Sequence, residues 1–109
     1  MRDQEIAKEC KEYVSSHALC EMITRENMAK ELNYTPAHLS RRFKKATGMS
    51  LMKYAREVEM RKTAELLRGG MSVTDVVAIK GCSKNGFTRA FRAVMGINPS
   101  SVIKQDKGE

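Results

Sequence analysis

Apolar residues along this chain recur every three or four positions. Ile6, Cys10, Tyr13 and Val14 do so near the start, and Leu51, Tyr54, Ala55 and Val58 in the middle. That spacing gathers each set on one face of a helix, and no segment alternates as a half-buried strand would. Thr24, Thr35, Ser50, Ser72, Ser83 and Asn98 each stand where a side-chain oxygen can cap a first helical turn. Pro36 and Pro99 suit first-turn positions, and Ser72 with Asp75 resembles a capping box. Gly48, Gly69-Gly70, Gly81 and Gly96 mark stops or turns. The pattern predicts an all-α fold of about seven helices, roughly 3–17, 25–32, 36–46, 51–68, 73–79, 84–95 and a short one from 99. No Gly-, Ser- or Pro-rich linker interrupts it, so the helix at 51–68, roughly 27 Å long at ~1.5 Å per residue, must join the two halves.

The halves are copies. Shifting the sequence by 48 positions lays Thr24 on Ser72, Met28 on Val76, Ala29 on Val77, Thr35 on Ser83 and Leu39 on Phe87 without a gap. The register continues through Ser40 on Thr88, Arg41 on Arg89, Phe43 on Phe91, Lys44 on Arg92 and Gly48 on Gly96. Each copy reads as a short helix, a turn of about four residues (32–35 or 80–83) and a second helix, which is the helix-turn-helix layout. In the second helices, Leu39, Phe43 and Ala46, or Phe87, Phe91 and Val94, share an inward face. Ala37, Ser40, Arg41 and Lys44, or Asn85, Thr88, Arg89 and Arg92, share the outward one. The expected division is a first helix-turn-helix unit at 1–48, a linker helix at 49–70 and a second unit at 71–109.

Twenty Lys and Arg against thirteen Asp and Glu give the 109 residues a net charge of +7, which favours a polyanionic partner. A helix whose outward residues are small at its N-terminal end and basic further on suits the major groove of DNA, where arginine bonds guanine O6 and N7 and asparagine reads adenine. Arg41 with Ser40 and Ala37 is the expected reader of one groove segment, and Arg89 with Thr88 and Asn85 of the next. Lys44, Lys45, Arg42 and Arg92 are expected on phosphates, where they set affinity and salt dependence. His38 lies beside this stripe and is expected to face solvent. Gly86 inside the helix expected at 84–95 costs about 1 kcal/mol against alanine, so either that helix starts later or close backbone approach to DNA is useful there, the later start being preferred.

Other chemistries find little support. Cys10, Cys20 and Cys82 are odd in number and show no paired spacing, which fits a reducing, cytoplasmic compartment. Cys10, His17 and Cys20 supply only three ligands at an unusual spacing, so core or surface placement is expected in place of a zinc site. The eight scattered methionines read as core filler, and Tyr34 as a packing residue at the turn. There is no phosphate-binding Gly-rich loop, no clustered metal-ligand set and no nucleophile with base and orienting group, so neither an enzyme nor a cofactor is expected. No apolar run reaches the ~20 residues that span a bilayer, and the first residues lack an apolar signal core, so neither membrane insertion nor export is expected.

The segment from Leu39 to Gly48, Leu-Ser-Arg-Arg-Phe-Lys-Lys-Ala-Thr-Gly, is similar to the Leu-Ser-Arg-x-Phe-Lys-x-x-x-Gly run of AraC/XylS-type transcription regulators. Tyr54 and Leu66-Leu67 stand where that family's linker helix carries Tyr and Leu-Leu. Val73, Val76 and Gly81 follow its second unit, and Arg89-Ala90-Phe91-Arg92 with Gly96-Ile97-Asn98-Pro99-Ser100 resembles its C-terminal signature. The resemblance covers roughly residues 5 to 103. Departures are Cys82 at a usual aromatic, Val77 at a usual alanine, Glu59 at a commonly basic position, and one residue fewer between Gly81 and Phe91. Across that last gap the internal repeat gives a second alignment, pairing Asn85 with Ala37.

The resemblance implies two helix-turn-helix subdomains joined by a long helix, with both second helices in adjacent major-groove segments on one face of double-stranded DNA. It implies transcription regulation, usually activation through contact with RNA polymerase, by a nucleoid-associated cytoplasmic protein. One such domain reads DNA as a monomer, and any dimerisation belongs to a domain not present here. The chain accordingly reads as a short regulator or, by preference, as the C-terminal piece of a larger one. The competing reading is a non-specific architectural or RNA-binding helical domain, which rests on net charge alone.

Overall fold

The structure, a computed structural model, describes residues 2–102. Within them lie α1 (Arg2–His17), α2 (Arg25–Leu32), α3 (Pro36–Thr47), α4 (Leu51–Arg68), α5 (Val73–Lys80) and α6 (Lys84–Met95), with no strand among the described residues. Residues 99–102 are helical and begin the expected last element, whose remainder lies outside the described residues. Five helices start on the anticipated hydroxyls. Thr24, Thr35, Ser50, Ser72 and Ser83 each accept from the backbone N–H three residues on, at 3.0–3.4 Å. Each cap satisfies one N–H that the first turn leaves without a helical partner.

Gly86 departs from expectation. It sits inside the first turn of α6, and its N–H is the one that Ser83 Oγ holds at 3.0 Å. A Cβ at this position would stand 3.0 Å from that same oxygen. Glycine therefore lets the cap close tightly, and the helix begins before it.

α4 is the spool on which two cores are wound. Leu51 and Ala55 in its first half are buried with Ile6, Cys10 and Val14 of α1, Met28 of α2, and Leu39 and Phe43 of α3. Met60, Ala64 and Leu67 in its second half are buried with Val76 of α5, Phe87 and Phe91 of α6, and Val102. Tyr54 packs on the first core and Leu66 on the second, with Val77 and Cys82 filling its edge. Burying a side chain of this size is worth about 1.5–3 kcal/mol. Each half thus has enough apolar payload to hold its own helix pair, and the described residues extend 48 × 23 × 20 Å.

Between the cores lies a buried polar seam. Glu59 of α4 has no exposed surface, and Lys80, the last residue of α5, is 2% exposed. Glu59 Oε2 accepts from Lys80 Nζ at 2.9 Å and from the Ile23 N–H at 3.0 Å, while Oε1 accepts from Arg56 at 2.6 Å. Lys80 Nζ also donates to the Ala18 carbonyl, and the Met22 N–H donates to the Lys80 carbonyl at 3.1 Å. Arg56 reaches the Ile23 carbonyl at 3.4 Å. The connection between α1 and α2 is thereby stitched to α4 and to the end of α5.

Candidate nucleic-acid interface

Each half presents the same local device. α2 and α5 have eight residues each, α3 and α6 have twelve, and three residues separate the members of each pair. Asn33 ends α2 with φ 66° and Gly81 ends α5 with φ 66°, and these two positions are 48 apart. Left-handed backbone at this point turns the chain sharply, which asparagine and glycine tolerate. The following extended residue, Thr35 or Ser83, then caps the second helix. The backbone repeats as the sequence does.

α3 and α6 are anchored from within. Leu39, Phe43, Phe87 and Phe91 are wholly buried, and Ala46 and Val94 are partly so. The Phe43 ring lies 5.4 Å from that of Tyr54, and the Phe87 and Phe91 rings are 5.7 Å apart, both in the tilted arrangement that aromatic pairs favour. These anchors fix which side each helix turns outward.

The outward side matches position for position. Ala37, Arg41 and Lys44 are exposed and Ser40 is half-buried; Asn85, Arg89 and Arg92 are exposed and Thr88 is half-buried. Lys45 is exposed one turn beyond Arg41, and its counterpart Ala93 leaves α6 less basic than α3. Asn85, Thr88, Arg89, Arg92, Ala93 and Gly96 line one shallow depression along α6. Among the described residues, Arg41, Lys44, Lys45, Arg89 and Arg92 enter no salt bridge with a protein carboxylate. Their charge is therefore available to an anion from outside.

One expected contact and one neighbouring side chain stand otherwise than expected. Arg42 is half-buried and directed at α1, where it donates to Asp3 at 2.9 Å, so it braces α3 against α1 and is not part of the outward stripe. Its repeat partner is the partly buried Ala90, a sign in the sequence that this position turns inward. His38, expected to face solvent, is half-buried and stacks on Tyr34, ring centres 5.5 Å apart. Cys10 is buried in the first core and Cys20 is exposed, while His17 stacks on Tyr13 at 3.9 Å. Among the described residues no three His, Cys, Asp or Glu side chains gather as a metal site, and no helix is long and apolar enough to cross a membrane. The seam at Glu59 and Lys80 escaped the sequence reading, which placed Lys80 in the turn.

Known proteins carry the same pattern. Residues 28–105 match a family model described as a helix-turn-helix domain. The chain is 32% identical over 92 residues to the HTH-type transcriptional activator AarP of Providencia stuartii, covering 83% of this chain and 68% of that protein. Two longer curated relatives, the HTH-type transcriptional activators RhaR of Pectobacterium atrosepticum and Pectobacterium carotovorum, are 33% and 32% identical over 78 residues, 70% of this chain and 28% of their length. Among solved structures, the C-terminal domain of AraT, a response regulator from Geobacillus stearothermophilus, superposes with a TM-score of 0.79 at 27% identity. That match covers 92% of this chain and 84% of the other. A probable AraC family transcriptional regulator from Rhodopseudomonas palustris shares the fold at TM-score 0.73 and 22% identity, over 94% of this chain and 97% of that one.

Proposed function

The chain belongs to the AraC-type family of helix-turn-helix, DNA-binding transcription regulators, and from this premise we propose that one monomer reads two adjacent major-groove segments with α3 and α6. The observation that carries the reading is the pair of outward faces, matched in exposure at a 48-residue offset and alike in presenting Arg41 with Lys44 or Arg89 with Arg92, whose cations are uncommitted within the protein. Small residues at the helix N-termini, Ala37 with Ser40 and Asn85 with Thr88, allow close approach to base edges. Arg41 and Arg89 then read guanine, and Asn85 adenine. Lys44, Lys45 and Arg92 lie on phosphates.

Two such helices on one monomer serve sites whose centres are about one turn, ~34 Å, apart, a separation that fits within the 48 Å long dimension. Because α4 is continuous, DNA bends to meet both units, and the cost of bending adds sequence preference at uncontacted steps. The mode assigned is activation through contact with RNA polymerase, supported by relatives named as transcriptional activators. The domain works without catalysis, in the cytoplasm at the nucleoid.

Replacing Arg41 or Arg89 by alanine tests the reader assignment in a titration at fixed salt. Each variant is expected to lose about 1–3 kcal/mol and to relax base choice in one half-site only. Native-like affinity and selectivity in both variants would overturn it.

A further inference from the structure

We propose that the buried Glu59–Lys80 pair is a spacing lock, a positioning device that fixes the orientation of α6 relative to α3 and so sets which separation of DNA boxes the protein accepts. The proposal rests on the two-unit reading above and adds to it the residues that decide spacing. The covalent path from one half to the other is α4, a single rod on which each half packs along its own stretch. A second, off-axis tie is what converts a rod into a frame.

The seam is that tie, because its members come from three separate places. Ala18, Met22 and Ile23 belong to the connection that leads into the first helix-turn-helix; Arg56 and Glu59 belong to α4. Lys80 ends α5 next to Gly81, the turn from which α6 departs. Lys80 holds the first half twice, through its ammonium on the Ala18 carbonyl and through its own carbonyl on the Met22 N–H at 3.1 Å. A slip at this point moves the start of α6 directly.

Burial makes the tie specific. Two side chains that are 0% and 2% exposed have no water to take over a lost hydrogen bond, so small displacements are penalised on both sides of the native geometry. Lever length makes it consequential. Over about 25 Å, half of the 48 Å long dimension, a rotation of about 10° carries a helix by roughly 4 Å, more than the ~3.4 Å rise of one base pair. A cleft without this pair, filled by apolar side chains of similar size, would bury the same surface and leave the angle loosely set.

The test compares the parent, Lys80→Met, and the isosteric uncharged pair Glu59→Gln with Lys80→Met. Residual dipolar couplings of backbone amides in the DNA-free proteins report whether residues 2–47 and 73–95 share one alignment tensor. Binding titrations then use a duplex with one box, a duplex with two boxes at the parent's preferred spacing, and two-box duplexes one base pair shorter or longer. One tensor is expected for the parent and two of unequal magnitude for the variants. The parent's preference for its spacing, tenfold or more, is expected to fall below threefold in the variants, with one-box affinity kept within twofold. A single tensor with an unchanged spacing preference in the variants would overturn the lock, and so would an equal loss on one-box and two-box duplexes. Should Lys80→Met alone unfold, the double variant carries the comparison. Should the parent bind one and two boxes equally, the two-unit reading fails, and the tensors still decide whether the pair couples the halves.

Discussion

Lys80→Met should be among the most destabilising substitutions that leave side-chain volume nearly intact. Lys80 Nζ stands 2.9 Å from Glu59 Oε2, with side chains 1% and 0% exposed. At an effective dielectric constant of ~20 the Coulomb attraction is about 6 kcal/mol, opposed by the cost of taking both ions out of water. Removing one partner leaves that cost in place for the other, which is why breaking a buried pair typically loses 3–5 kcal/mol. Arg56 softens the loss, since it keeps its hold on Oε1 at 2.6 Å and is 29% exposed. The expected value is therefore about 3 kcal/mol, a large share of the roughly 5–15 kcal/mol that stabilises a domain. Urea titration followed by far-ultraviolet circular dichroism should show the midpoint falling by about 2 M, for a slope near 1.5 kcal/mol/M. Glu59→Gln combined with Lys80→Met should recover most of this, to within about 1 kcal/mol of the parent, because no fully buried charge is then left alone and Arg56, which loses its carboxylate, is 29% exposed and reaches water. A loss under about 1 kcal/mol for Lys80→Met, with no recovery in the double variant, would refute the view of this contact as a desolvated ion pair.

Five further outcomes rest on the same structure. Ser83→Ala should cost about 1 kcal/mol by uncapping α6, while Gly86→Ala should be near neutral in thermal denaturation, its helix gain of about 1 kcal/mol offset by the 3.0 Å approach to Ser83 Oγ. Burial, aided by Glu9, pushes the Cys10 thiol from 9.0 up to about 11, and burial also raises Tyr13 and Tyr34, helped by Glu31 and Glu9 respectively. Each group stays neutral longer in the folded state than in the unfolded one. Stability is therefore full below pH 9 and falls as pH climbs from 9 towards 11, and a thiol reagent at neutral pH should label exposed Cys20 before Cys10. Lys44→Ala and Lys45→Ala should each flatten the plot of log affinity against log salt by about 0.9, equally on specific and scrambled duplexes.

Much of this was legible because it is local. A hydroxyl three residues ahead of a free N–H, an asparagine or glycine where the chain must reverse, and phenylalanines four apart declare caps, turns and inward faces from sequence alone. The 48-residue repeat adds a check, since Asn33 and Gly81 differ in type yet take the same φ. What stayed hidden depends on distant partners. Nothing near Lys80 announces a buried ammonium, because its carboxylate is 21 residues away and its carbonyl acceptor 62. Glu59 looked merely unusual for its place until its three donors were seen. Arg42 resembled its basic neighbours, and only Asp3, brought close by the packing of α1 on α3, removes it from the outward stripe. Gly86 was misjudged because helix propensity was weighed without the cap oxygen that needs the space.

Two corresponding faces on one monomer reading two boxes should leave a signature in the DNA itself. Selection of bound duplexes from a random pool at physiological salt, followed by sequencing, reads that signature. Two enriched boxes on one face of the DNA, with centres about one helical turn apart, is the predicted result. Enrichment of a single box, of boxes half a turn out of phase, or of no sequence at all would contradict it.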